Sequence, residues 1–306
     1  MKKFILPLFI VLLISAVIIL NHKHQPASTP QVQCPFLVPA NGVNGSVIAS
    51  FDNTLIIRSE GKFFMKSRTG TYMINSSEAY FFPWGFVVSE EGKEVFSVPK
   101  YVMNYGEDPE WGDILKNISI ENTSYMIKVN HLIACDYGGK ILWKHIQPLS
   151  YLWEIKEEGV TEKSGESSFQ IYTHASEEYF FMAKFLGKPR YHFGPDWLYI
   201  YNENGLVKEI KLGEPPEPPD RVFFTSNGSY TLLGFNLYEG DGTPYGGRIM
   251  IFNGSEVIFD KFISRNDCLC YPVHGWGQIT LKGCARFGML EGVGTYCNGT
   301  FTYEKE

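Results

Sequence analysis

The sequence lacks the local signatures that mark common enzyme classes. It has no G-x-S-x-G elbow, no H-E-x-x-H helix, no Walker loop and no G-x-G-x-x-G opening a helix. Two S-x-x-K strings, Ser59/Lys62 and Ser97/Lys100, fall in strand and turn patterns rather than on a helix, so neither has the setting that nucleophile needs. Basic charge is also short: once Lys2 and Lys3 are set aside, 25 basic residues face 33 acidic ones. That balance argues against nucleic acid, or anionic lipid headgroups, as the main partner. Paired C-x₂-C knuckles are missing too. A zinc site built from Cys268, Cys270, Cys284 and Cys297, or from three of them with His274, lacks the spacing of common zinc folds. No metal and no cofactor is therefore expected.

Only one long hydrophobic run is present. Phe4 to Leu20 is 17 residues without a charge, preceded by Lys2 and Lys3 and followed by Asn21, His22, Lys23 and His24. A signal-peptide core has about 7–15 apolar residues and a spanning helix roughly 17–25. The run predicts a transmembrane signal anchor over residues 4–20, with residues 1–3 cytoplasmic and the rest exported by the positive-inside bias. A cleaved signal with its first small-residue site near Ala27 is the alternative. Residues 21–43, with Pro26, Pro30, Pro35 and Pro39, read as an extended tether. His22 and His24 read as solvated tether residues.

Two counts support export. Asn-x-Ser/Thr occurs seven times, at Asn44, Asn75, Asn117, Asn122, Asn227, Asn253 and Asn298, where chance supplies about 2. Glycosylation at some of them is expected, although Asn44, Asn227, Asn253 and Asn298 each precede Gly, which also makes good hairpin turns. Six Cys, an even number, suit disulfides in an oxidising compartment. If a turn lies within Arg286 to Glu291, Cys284 and Cys297 face each other across antiparallel strands and can pair. Cys34 is expected to join the Cys268/Cys270 region.

Helical periodicity is nearly absent beyond residue 43. Short runs rich in Val, Ile, Phe and Tyr alternate with Gly and Asn turns, which predicts an all-β fold. Six runs read as strand, Gly turn, strand, with turn glycines Gly61, Gly92, Gly139, Gly205, Gly254 and Gly299. Four more read as a polar turn entering an aromatic strand: Asn75 to Phe82, Glu121 to Val129, His174 to Phe185 and Ser226 to Phe235. Together they predict a β-propeller of about six four-stranded blades over residues 44–306. Two β-sandwich domains divided at Glu214 to Asp220 are the alternative.

The run ACDYGGKILWK (Ala134 to Lys144) resembles the A-x-D-x-x-G-K-x-L-W-K hairpin of PQQ-like, quinoprotein and WD40-type β-propeller repeat proteins, and SNGSYTLLGF (Ser226 to Phe235) followed by GGRIMIFNGSEVIFDKF (Gly246 to Phe262) resembles a related blade of archaeal and bacterial cell-surface propellers. The resemblance is loose over most of the chain and close only in the Ala134 to Lys144 hairpin. It implies a propeller, and for the dehydrogenases a vicinal disulfide, whereas the nearest pair here is Cys268-x-Cys270.

Other residues could serve a site. His131, His145, His174, His192 and His274 are scattered and read as structural or surface histidines. The acidic stretches Glu107 to Asp113 and Tyr238 to Gly242 match no complete calcium loop. Tyr101, Tyr105, Trp111, Trp153, Tyr191 and Trp197 are expected near loops, where they could stack on sugars or peptides. The expected function is a membrane-anchored binding or interaction module at the cell surface, taking a glycan, a peptide or an envelope protein. An extracytoplasmic enzyme, quinoprotein-like or carbohydrate-active, is the alternative.

Overall fold

The computed structural model describes residues 33–68, 70–104, 117–156, 159–187, 196–213, 219, 221–238, 244–265 and 275–305. All of its regular structure is β. The strands are β1 (Leu37–Pro39), β2 (Ser46–Phe51), β3 (Thr54–Ser59), β4 (Lys62–Ser67), β5 (Gly70–Ile74), β6 (Ala79–Phe82) and β7 (Gly85–Asn104). Then come β8 (Asn117–Cys135), β9 (Ile141–Lys156), β10 (Gly159–Ala175), β11 (Phe180–Gly187), β12 (Asp196–Asn202), β13 (Gly205–Gly213) and β14 (Val222–Asn227). The last are β15 (Tyr230–Tyr238), β16 (Pro244–Asn253), β17 (Glu256–Ser264), β18 (Gly277–Ile279), β19 (Ala285–Met289), β20 (Gly292–Cys297) and β21 (Thr300–Lys305).

They form five four-stranded antiparallel meanders in chain order: β2–β5, β6–β9, β10–β13, β14–β17 and β18–β21. The two recurring sequence elements together predict about six. The second and third meanders share one eight-stranded sheet, because β9 and β10 also pair, from Ser150 opposite Ser168 to Lys156 opposite Gly159. The Glu214 to Asp220 stretch falls between β13 and β14, at a connection between meanders.

Each meander buries apolar residues against the next. Phe36, Ile56, Met65 and Ile74 meet Phe86, Val88 and Ile133 between the first and second. Phe82, Val87, Leu132 and Ala134 meet Phe180, Met182 and Tyr201 between the second and third. Phe181, Phe185, Leu198 and Ile200 meet Leu233, Phe235, Met250 and Phe252 between the third and fourth. Leu232, Ile249, Ile251 and Ile263 meet Ile279, Phe287, Met289 and Tyr296 between the fourth and fifth. We call these interfaces seams. Among the described residues, no core cluster joins the fifth meander to the first. The first strands of successive meanders lie side by side, β6 by β10, β10 by β14 and β14 by β18. Such an array draws its stability from intrinsic meander terms and nearest-neighbour seams.

Five of the six strand–turn–strand runs are hairpins, with Gly61, Gly139, Gly205, Gly254 and Gly299 at positive φ in or beside the turns. The sixth is not. Gly92 lies inside the continuous strand β7, opposite Val129. A Cβ at Gly92 would meet the His131 ring at 2.7 Å, so this glycine admits a cross-strand imidazole rather than a turn. For the same reason Glu121 to Val129 contains no turn; it is part of the 19-residue β8, paired with β7 along its whole length.

The N-terminal boundary also differs from expectation. Cys34 and Phe36 are core residues at 2% and 7% exposure, and β1 pairs with β5, so this part of the predicted tether belongs to the folded domain. Cys34 bonds Cys135, not the Cys268/Cys270 region, with Cα atoms 6.1 Å apart. The reason is local: Cys34 N–H donates to Gly139 O, and Gln33 bridges Lys140, which holds Cys34 beside the end of β8. Cys284 and Cys297 bond across the β19–β20 hairpin, one step beyond the Ala285–Tyr296 pair, with Cα atoms 4.3 Å apart. Its turn is Leu290–Glu291. Cys268 and Cys270 lie outside the described residues, as do Phe4 to Leu20. Among the described residues no helix is long and apolar enough to cross a membrane.

Candidate functional site

The meander rule places every second turn on the same edge of the array. One edge carries tight turns: Pro83–Trp84, Asp136–Lys140, Ser176–Tyr179, Glu203–Asn204, Gly228–Ser229 and Asn298–Gly299. The opposite edge carries the middle turn of each meander and the connections between meanders; the longest connections are there, although Glu60–Gly61 and Leu290–Glu291 on the same edge are also tight. The seam between the second and third meanders runs from one edge to the other, and its chemistry changes along the way.

Its middle is apolar and aromatic. Trp143 stacks on Tyr201 with ring centres 5.0 Å apart, and Phe82 meets Phe180 edge-on at 6.5 Å. The hairpin that carries the propeller-like motif supplies Trp143. Asp136 Oδ1 accepts the Lys140 N–H at 2.8 Å and fixes the turn, while Trp143 Nε1 donates to Asn202 O at 2.7 Å and ties the second meander to the third.

Towards the long-loop edge the same faces turn polar. Alternation along β7 puts Ser89 on the face of Val87; along β8 it puts Asn130 on the face of Leu132. Along β9 it adds His145 and Gln147 after Trp143, and along β11 Lys184 after Met182. Ser89 Oγ donates to Asn130 Oδ1 at 3.0 Å. Lys184 Nζ donates to Gln147 Oε1 at 3.3 Å, and the Gln147 amide touches His145 Nε2. Lys184 is only 9% exposed, and burial lowers its ammonium to about 8. Burial, then the nearby Lys184 charge, lowers the His145 imidazole as well. Burial raises the Tyr201 phenol above its usual range, which contact with Gln147 partly offsets, although its oxygen makes no hydrogen bond of normal geometry.

At the tight-turn edge the seam opens into a cleft of about 330 Å³ lined by Pro83, Trp84, Glu178, Tyr179, Asn202 and Glu203. Three turns from two meanders build it. Trp84 stacks on Phe82 at 4.6 Å, nearly parallel, and its Nε1 donates to Glu178 O at 2.9 Å, so the indole is fixed at the rim. Tyr179 packs on Gly254 of the fourth meander, where a Cβ would come within 3.2 Å of the ring. Glu178 and Glu203 are exposed and have no ion-pair partner among the described residues. The cleft thus offers aromatic surface and carboxylates side by side, a combination suited to sugar rings or cationic side chains.

The sequence singled out none of the cleft residues as a site. They lie in turns about ninety and twenty-five residues apart, and only the meander parity brings them to one edge. Of the residues it did single out, Trp197, Tyr101 and Trp153 sit in β12, β7 and β9, one to three residues from a strand end. Tyr105, Trp111, Tyr191, His192, His274 and the Glu107 to Asp113 stretch lie outside the described residues. Asp260, in β17, forms a bidentate pair with Arg248. His131 lies 3.5 Å from Glu94, and His174 Nε2 contacts Ser226 Oγ at 2.9 Å while its ring stacks on Phe224. Among the described residues no group of three or more His, Cys, Asp or Glu is placed to hold a metal. The acceptor asparagines Asn44, Asn75, Asn227, Asn253 and Asn298 are all exposed. Two have engaged side chains: the Asn227 amide donates to Ile279 O at 3.2 Å, and Asn253 Oδ1 accepts from Ser229 Oγ at 2.8 Å.

No protein-family model matches the chain. No curated protein matches it. Among solved structures one match is the "AfRom2 CNH domain", 10% identical, spanning 89% of this chain and 93% of that one with a TM-score of 0.18. A score that low describes no shared superposition, and nothing is transferred from it.

Proposed function

We propose that this chain is a membrane-tethered, extracytoplasmic binding module whose ligand enters the cleft between the second and third meanders. The observation that carries the reading is the cleft itself: a fixed indole, a tyrosine and two carboxylates without ion-pair partners among the described residues converge at the open end of a seam whose interior is closed by apolar side chains. Reactive geometry would need a general base or a nucleophile in hydrogen-bond reach of its partner. The cleft instead presents surfaces for contact. The uncharged run Phe4 to Leu20 supports the tether, and the exposed acceptor asparagines support export. A glycan or a peptide is the expected ligand class.

Full-length protein in detergent, applied to glycan and peptide arrays with and without quinone and calcium, tests the reading. Binding is expected, and Trp84→Ala and Glu203→Gln should weaken it at least tenfold, as rim anchors of a small interface do. Binding indifferent to both substitutions, or quinone-dependent dye reduction, would overturn it.

A further inference from the structure

The two end faces of the array differ in a way that stacking alone does not explain. In the fifth meander, Gln278, Arg286, Thr295 and Thr302 form one cross-strand row on the face turned away from the core. A polar outer face is what a terminal repeat needs. In the first meander the equivalent row is apolar throughout: Val38, Met73, Phe64, Ile57 and Val47 lie opposite one another across β1, β5, β4, β3 and β2. Val47 is 56% exposed and Val38 39%, Phe64 and Met73 are half-buried, Ile57 lies under the Asn44–Gly45 segment at 6%, and Ile48 and Leu55 extend the patch at 47% and 36%. Five strands make this row about 20 Å wide. The exposed Lys62 and Lys66 flank Phe64 on the same face. Between residues 46 and 74, Arg58, Lys62, Lys66 and Arg68 outnumber Asp52 and Glu60, in a chain that is acidic overall.

We propose that the outer face of the first meander lies on the lipid surface of the membrane that holds the chain. This rests on the reading of Phe4 to Leu20 as an anchor. The 12 residues from Asn21 to Val32 cannot span more than about 40 Å. They lead into β1, a strand of this same sheet, so the patch is kept within reach of the bilayer. Apolar side chains flanked by lysines suit the boundary between acyl chains and headgroups, with the lysine stems along the apolar layer and their ammonium groups at the headgroup phosphates. A second copy fits less well. Head-to-tail stacking would press the apolar row onto Gln278, Arg286, Thr295 and Thr302. Face-to-face pairing would set Lys62 and Lys66 of one copy near those of the other. The Asn44–Gly45 segment leans on Ile57, and Ser59 Oγ donates to Asn44 O at 2.8 Å at the margin of the patch. The proposal therefore requires Asn44 to be without a glycan.

Full-length protein reconstituted in liposomes containing a photoactivatable diazirine phospholipid provides the test, with labelled peptides mapped by mass spectrometry. Label is expected in the anchor and also in peptides from Leu37 to Ile74, with little in peptides from Gly292 to Lys305. The surface variant Val47→Asp/Lys62→Glu/Lys66→Glu should lower the label in the first meander at least fivefold while leaving the anchor label unchanged. Label confined to the anchor would overturn the docking and leave the anchor standing. An unlabelled anchor in protein that floats free would overturn the anchor reading. Lysine cross-links between copies through Lys62 or Lys66, or a glycan on Asn44, would also overturn the docking.

Discussion

One strand borders two seams of opposite character. On β11, Phe181, Ala183 and Phe185 face the fourth meander, where their neighbours Leu233, Phe235, Met250 and Phe252 are all apolar. Phe180, Met182 and Lys184 face the second meander, where the last position meets Gln147 and His145 instead. Neighbouring side chains on a strand point to opposite faces, so the contrast arises within six residues. The odd-numbered face is built for cohesion. The even-numbered face includes a buried amine whose desolvation opposes folding, which a purely structural seam would not need.

The largest expected effect is on the cohesive side. Phe181→Ala removes a fully buried ring that packs on Phe252 at 5.3 Å and should cost about 3–5 kcal/mol in denaturant unfolding. A cost below about 1 kcal/mol would erase the contrast between the seams.

Acid should act next, through His174. This ring also borders the fourth meander, stacked on Phe224, and burial lowers its imidazole to about 4. The unfolded chain binds the proton near 6.5, so stability is full above that value and is lost as pH falls from about 6.5 to 4. The His174 share of the loss should be of order 2–3 kcal/mol and should vanish in His174→Gln, leaving the contribution of the His145 imidazole, which burial also lowers, as followed by unfolding at stepped pH.

The smallest stability effect belongs to the cleft. Trp84 is half-buried at the rim, so Trp84→Ala should cost only about 1–2 kcal/mol while weakening ligand binding at least tenfold. A large stability loss with unchanged binding would make Trp84 a packing residue.

Much of the fold is legible in the sequence because hairpins are local. Asn298–Gly299 and Gly254 stand at turns between alternating strands, and the equal spacing of Cys284 and Cys297 from Leu290–Glu291 marks their hairpin. The long strands β7 and β8 are not legible. Their charged stretches continue the pleat, and Gly92 imitates a turn while it actually makes room for His131. The Cys34–Cys135 bond is invisible for a different reason: 101 residues separate its ends, and only the packing of Gln33 and Cys34 on the Asp136–Lys140 turn joins them. The cleft could have been found from parity. Once the meanders are counted, Pro83–Trp84, Ser176–Tyr179 and Glu203–Asn204 all fall on one edge.

Replacing Lys184 by methionine tests whether the polar face of β11 contributes to cohesion in the second-to-third seam. In the folded chain the Lys184 amine titrates near 8 against 10.5 when unfolded, so between those values the unfolded state holds the extra proton. Parent stability should therefore rise with pH from about 8 until the tyrosines begin to ionise near 10. Unfolding free energies of Lys184→Met should show no such rise and should equal or exceed the parent at pH 7. A variant less stable than the parent by more than about 1 kcal/mol at pH 7, with the rise intact, would mean that the polar face of β11 is structural after all.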